Sequence, residues 1–195
     1  LDLSQIETPA VLTSKPGRAR VNANARLHDL SAALQTRGQG VRNLGDINVQ
    51  TLAGARSTAT HGTGRDLPSI SAERTGARLL SASGELVDIA AEDLPGVQVS
   101  LGLLGILLEI ELNTVPAFNL RRRVGVRPFE VLLEQMHDNW AAHRCFEFFL
   151  LPHSGKGVQI SHDVTEAAPS KSPLDLDARG LQVLKLASVL RHLHP

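Results

Sequence analysis

The 195-residue chain carries 20 acidic and 20 basic side chains, so its formal net charge is zero, and 42% of its residues are hydrophobic. That balance excludes a net field that would draw in nucleic acid or an anionic membrane, while the apolar content suffices for a buried core in one large domain or two small ones. The N-terminus lacks the basic-then-apolar layout of a signal peptide.

Residues 9–23 alternate between apolar and polar around a K-P-G turn at residues 15–17, which predicts a β-hairpin with a second arm over 19–23. Asn24 is the predicted N-cap of a helix in which Leu27, Leu30 and Leu34 recur on one side until Gly38 supplies a stop. His28 and Asp29 fall on its polar side and read as a solvated face rather than a catalytic pair. Residues 42–64 read as a short strand, a turn and a glycine-rich loop. A second hairpin over 77–89 turns at residues 81–84. Residues 93–104 read as helical in part. The most apolar run, 97–112, is interrupted by Gly102, Gly105, Glu109 and Glu111 and is too short and too polar to span a bilayer. At its end Leu108, Ile110 and Leu112 alternate with two glutamates, as in a strand buried on one face.

Pro116 and the basic run Arg121, Arg122, Arg123 mark a composition break, which sets a domain boundary near Ala117: residues 1–117 and 118–195. Pro128 opens a predicted helix whose stripe is Phe129, Leu132, Leu133, Met136 and Trp140, with Trp140 read as core. Cys145 has no second cysteine to pair with; set in R-C-F-E-F-F-L-L, it reads as a buried, inert thiol, and a reducing cytoplasm fits it. Strands over 146–151 and 157–164 pair across an S-G-K-G turn, residues 167–173 form a Pro/Ser-rich link, and 181–193 form a last helix. No histidine set shows a metal-ligand spacing such as H-E-x-x-H.

The stretch N-L-G-D-I-N-V-Q-T-L-A-G-A-R-S-T-A-T-H-G-T-G, residues 43–64, holds four glycines, and from Thr51 onward only Leu52, Arg56 and His61 are large. A backbone of Gly, Ala, Ser and Thr can approach a ligand closely and offer amides and hydroxyls to phosphate oxygens. The same composition also suits a strand and turn packed tightly on a neighbour.

G-D-I-N-V-Q-T-L-A-G-A followed by T-A-T-H-G-T-G resembles the FAD-binding segment of the vanillyl-alcohol-oxidase (PCMH-type) superfamily, in its sugar-1,4-lactone oxidase branch with D-arabinono- and L-gulonolactone oxidases and their alditol-oxidase relatives. The A-R-L-H-D-L-S-A-A-L helix, S-L-G-L-L-G-I-L-L-E-I-E-L and F-E-F-F-L-L-P-H-S extend the resemblance over residues 10–162. It implies an α+β fold: the second part of a PCMH-type FAD-binding domain, then the start of a substrate (cap) domain. Members of that family are longer and carry an R-G-x-G-H-S-type loop whose histidine often bonds the flavin covalently; that motif is absent here, so the chain reads as a fragment.

The resemblance further implies FAD as cofactor, with contacts from Asp46, Thr51, Gly54, Thr58, Ala59, Thr60 and His61, and with Ile106 or Leu107 closing from the later strand. Asp46 departs from relatives that have a neutral residue there; an acid suits a sugar hydroxyl or an amide rather than phosphate. Arg56 is the one cation of the motif, so neutral donors would carry the pyrophosphate. The implied activity is oxidation of a sugar-1,4-lactone by hydride transfer to flavin, with oxygen or another acceptor reoxidising it; an alditol substrate, or a non-catalytic binding or assembly module on the same fold, are the alternatives. The family's substrate-polarising residues lie past this chain's end, so no catalytic residue is assigned, His61 included.

Overall fold

The computed structural model describes residues 9–72, 76–90, 92–93 and 97–170. In chain order the elements are β1 (Val11–Lys15), β2 (Arg18–Asn22), α1 (Leu27–Gln35), β3 (Gln39–Gly40), α2 (Leu52–Ser57), β4 (Ala77–Leu80), β5 (Leu86–Ile89), β6 (Ile106–Asn113), β7 (Val115–Pro116), β8 (Asn119–Pro128), α3 (Phe129–Glu134), α4 (Met136–Ala142), β9 (Cys145–Leu151) and β10 (Lys156–Thr165). They belong to one compact unit, Leu1–Thr165; Glu166–Pro195 form a second, whose described residues, 166–170, hold no regular element. No helix among the described residues is long and apolar enough to cross a membrane.

The N-terminal hairpin forms as its sequence predicts. Lys15 sits opposite Arg18, so the connection is only Pro16-Gly17: proline presets its φ, and Gly17 takes φ 81°, which disfavours a side chain. β2 then pairs with β6, β6 with β4 and β4 with β5, giving an all-antiparallel sheet of order β1-β2-β6-β4-β5. One face buries Ala19, Val21, Leu79, Ile110 and Leu112 against Leu27, Leu30 and Leu34 of α1 and Leu52 and Ala55 of α2. The other face is polar and carries cross-strand ion pairs: Arg18 with Glu111, Arg20 with Glu109, and Arg78 with Asp88. The alternation along β6 slips once. Arg78 faces Glu109 but Leu79 faces Leu107, so Leu108 is an extra residue, a bulge that lets Leu107 turn inward along with Ile110 and Leu112.

Four local expectations change. Asn24 is not the N-cap of α1: its amide donates to Asn22 Oδ1 at 2.9 Å, and the cap residue is Arg26, whose side chain makes no capping bond. The first amides of α1 are taken instead by loop carbonyls, Leu27 to Gln50 at 2.9 Å and His28 to Asn48 at 3.0 Å. Within the glycine-rich stretch, residues 52–57 are a helix rather than a loop, because Thr51 caps it by accepting from the Gly54 amide at 3.2 Å and Leu52, Ala55 and Arg56 at i, i+3 and i+4 all bury. The described part of 93–104 is turns, not helix; Leu101 (φ 52°) and Gly102 (φ 79°) are left-handed and end any right-handed helix. The stripe after Pro128 makes two short helices, since Gln135 (φ −92°, ψ 5°) leaves the helical region between α3 and α4.

The basic run at 121–123 lies inside β8, a ten-residue strand that the sequence reading takes only as a composition break. β8 pairs with β10 and β10 with β9, both antiparallel, so the second sheet has order β8-β10-β9, and β9 and β10 pair as expected. α3 and α4 cover one face of it: Phe129 packs edge-on to Phe148 at 6.0 Å, and Trp140 Nε1 donates to the Phe146 carbonyl at 3.1 Å, which places Trp140 in structure rather than in a ligand stack. The predicted helix at 181–193 lies outside the described residues.

Candidate cofactor site

The helix α2, the turn 101–105 and the start of β6 meet around an open cleft of about 530 Å³, lined by Thr51, Gly54, Thr58, Ile106 and Leu107 among the residues the motif singles out. Asn24, Ser57 and Leu101 line it too. The strand end arrives here because β6 crosses the sheet centre, and α2 is fixed by its buried side; the Leu101 amide donates to the Ser57 carbonyl at 3.3 Å and ties the turn to the helix. The volume lies in the range of small-molecule sites. Asn24 and Leu101 were not legible as lining residues: one looks like a helix cap, the other like part of a helix.

The hydroxyls of the cleft differ in what they can still do. Thr51 Oγ1 accepts from Gly54, so its own hydrogen remains to be donated to a phosphate oxygen. Thr58 Oγ1 donates to the Gly54 carbonyl at 2.9 Å, which leaves it as an acceptor, suited to a ribose hydroxyl. A Cβ built on Gly54 would meet only Thr51 Oγ1, at 3.2 Å, and otherwise extend into the cleft. That contact with the capping hydroxyl is tight, so a side chain at Gly54 would press on the helix cap and also fill the cleft, which glycine leaves open to close approach by a ligand. The cleft therefore fits an FAD segment held by neutral groups, with Ile106 and Leu107 as its apolar wall.

Arg56 does not line the cleft. Its side chain is 1% exposed and packs inside the fold, and its carbonyl accepts from Ser71. The remaining motif residues lie beyond the cleft. Ala59 takes φ 55°; Thr60 donates to Gln50 Oε1 at 3.3 Å; exposed His61 places Nδ1 2.8 Å from the Gly62 carbonyl. Gly62 is needed for a reason internal to the chain, since a Cβ there would overlap Asn43 Oδ1 and the Leu44 carbonyl.

Asp46 stands apart from the cleft, against the second sheet, in a group with Glu147, Cys145, His162 and Arg122. Burial, then the neighbouring Asp46 charge, pushes the Glu147 carboxyl up to about 7. Burial raises the Cys145 thiol, as an inert sulfur requires, and lowers His162. Neither Glu147 nor His162 belongs to a recognisable local motif; alternation in β9 and β10 puts them on one face, which is visible only once the strands pair.

A family model described as an FAD binding domain matches residues 1–90, and one described as D-arabinono-1,4-lactone oxidase matches 110–192. The L-gulono-1,4-lactone dehydrogenase of Mycobacterium tuberculosis is 31% identical over 174 residues, covering 89% of this chain and 41% of that protein. The D-arabinono-1,4-lactone oxidase of Kluyveromyces lactis is 31% identical over 159 residues, 78% of this chain and 30% of its own length. The chain thus spans well under half of these curated relatives. Among solved structures, a solvent-stable cholesterol oxidase superposes with TM-score 0.75 at 20% identity, over 87% of this chain and 36% of that one. The cholesterol oxidase of B. sterolicum gives 0.72 at 20%, over 82% and 34%. At that identity the two structures speak for the fold alone.

Proposed function

Because the chain belongs to the PCMH-type FAD-binding superfamily, in the branch that contains the sugar-1,4-lactone oxidases and dehydrogenases, we propose that it is part of an FAD-dependent oxidoreductase that oxidises a sugar-1,4-lactone of the D-arabinono or L-gulono type. The observation that carries this reading is the cleft where Thr51, Gly54 and Thr58 face Ile106 and Leu107. FAD, when bound, supplies the acceptor for the hydride that leaves the carbinol carbon, while the hydroxyl proton passes to a base or to solvent. The chain's own part is binding: Thr51 donates to phosphate, Thr58 accepts from ribose, Gly54 allows close approach, and Ile106 and Leu107 exclude water from one side. Ala59, Thr60, His61 and Asp46 shape and fix the segment around that grip. We place the boundary between the FAD-binding part, 1–117, and the start of the substrate part, 118–195, between the end of β6 and the start of β8; in its support, one family match ends at 90 and the other begins at 110, a few residues before this point.

The test is an absorbance spectrum of the purified full-length protein, followed by turnover of aldono-1,4-lactones and alditols with oxygen or an artificial acceptor. Bound flavin with lactone turnover is the expected result. Flavin with alditol turnover alone moves the substrate class, and a colourless protein that takes up no added FAD makes the chain a non-catalytic module. Gly54→Val should weaken FAD at least about tenfold, about 1.4 kcal/mol, in protein whose melting temperature shows that it stays folded despite the pressure on the Thr51 cap. Arg56→Ala should instead lower the melting temperature, since its side chain is buried.

A further inference from the structure

Arg144, between α4 and β9, touches parts of the chain that lie far from it in sequence. Its guanidinium carbon stands 4.8 Å from the centre of the Phe118 ring, at the crossing from β7 to β8, while Nη2 donates to the Arg42 carbonyl at 2.6 Å. Its amide donates to Asp163 Oδ1 of β10 at 3.3 Å, and Arg123 of β8 binds Oδ2 of the same carboxylate at 2.8 Å. Its carbonyl closes on the glycine-rich segment, since a Cβ on Gly64 would stand 2.9 Å from it. A planar guanidinium stacks on a ring by its face and donates from its edge at the same time, which an ammonium does not.

From Arg42 the contacts continue to the cofactor cleft. A Cβ on Gly62 would overlap Asn43 Oδ1 and the Leu44 carbonyl, and one on Gly45 would stand 3.1 Å from the His61 carbonyl and 3.3 Å from Thr60 Cγ2, so residues 43–45 run directly against 60–62. The Thr60 amide donates to the Ala55 carbonyl of α2 at 2.9 Å, and Thr60 Oγ1 donates to Gln50 Oε1 at 3.3 Å, beside the capping Thr51. Each link is a close contact, so a displacement of 43–45 is passed on to α2 rather than absorbed.

We propose that Arg144 is a positioning residue that pins the segment leading into the cofactor motif to the second sheet, and so sets how that sheet faces the cofactor cleft. The pin stands on the contacts alone; its effect on catalysis rests on the FAD-dependent reading above.

Two measurements keep these apart. In the FAD-free full-length protein, hydrogen exchange at the Thr60 and Ile70 amides, which bond the Ala55 and Thr60 carbonyls, should quicken about tenfold in Arg144→Ala. Unchanged exchange overturns the pin. In the FAD-loaded protein, anaerobic reduction of the flavin by saturating lactone or alditol, whichever the parent oxidises, should slow about tenfold per bound flavin in the same variant, because a small misplacement of reacting groups is costly in rate. A lower melting temperature and flavin content with an unchanged rate per bound flavin would make Arg144 merely structural and overturn the positioning role. Arg144→Lys keeps the charge and loses the fork; it should show both changes at smaller size, and it carries the test if the alanine variant does not fold. Full parent behaviour in Arg144→Lys overturns the pin. A parent that takes up no FAD, or oxidises neither substrate, overturns the enzyme reading and the catalytic role with it, while the exchange data still decide the pin.

Discussion

The two sheets solve the problem of a second face differently. In the five-stranded sheet one side is sealed by α1 and α2 and the other carries arginine–carboxylate pairs, so along β2 and along β6 from Glu109 to Leu112 buried apolar positions alternate with paired polar ones. In the three-stranded sheet α3 and α4 cover one side, while Leu120, Val124, Val126, Phe149 and Val164 remain exposed, and β8 has no buried residue along its whole length. The first sheet holds its stability within its own residues. The second presents a surface, and that difference suits a rigid cofactor platform beside a sheet that carries the polar group around Glu147.

The contrast can be broken most forcefully at its stable end. Ile110 is fully buried at the middle strand, and Ile110→Ala should cost about 2–5 kcal/mol in denaturant unfolding; a loss as small as that of an exposed valine would mean the sheet is not the core it looks to be. A smaller, pH-dependent effect is expected at Asp163. Burial alone would raise its carboxyl, but the His143 ring, the Arg144 amide and Arg123 outweigh it and hold the value below 3.8. Asp163→Asn should then lower the melting temperature near neutral pH, and the gap between parent and variant should close as pH falls through the depressed value. A gap that stays constant down to acid pH would mean the carboxylate's charge is not what matters. The smallest effect belongs to the open face: Val126, 57% exposed, should tolerate Val126→Ser within about 0.5 kcal/mol by the same unfolding measurement. A large loss there would show that the face is covered in solution and would erase the distinction between the sheets.

Sequence pattern showed most of the first sheet because its signals are local. Pro16-Gly17, the 3.6-residue spacing of Leu27, Leu30 and Leu34, and the glutamates alternating along β6 each encode their element within a few residues. The helix α2 stayed hidden because Gly54 and the β-branched Thr58 argue against helix by propensity, while the burial of Leu52, Ala55 and Arg56 that stabilises it is tertiary. β8 stayed hidden for a related reason: its apolar positions alternate with arginines whose partners, such as Asp163 for Arg123, lie some forty residues on. At the site, the motif marked the residues of α2 and β6 but not Asn24 or Leu101, which reach the cleft through the folding of other segments. The neighbours of Asp46 come from β9 and β10, which no spacing within residues 43–64 can announce.

The bulge at Leu108 bears on how the chain length can change. Strand side chains obey a parity rule, in or out, and an extra residue resets the count from that point on. Without Leu108, β6 would read Ile106, Leu107, Glu109, Ile110, Glu111, Leu112, with Leu107, Ile110 and Leu112 still falling on the inner side and both glutamates on the outer. A one-residue deletion at Leu108 leaves the same set inside and keeps Glu109 beside Arg20; deleting Glu109 keeps the inner set but loses that ion pair, and deleting Ile110 or Glu111 throws inner and outer residues to the wrong faces. The strand that delivers Ile106 and Leu107 to the cleft thus has its length negotiable at the bulge, where an extra residue can be given up without turning the core side outward.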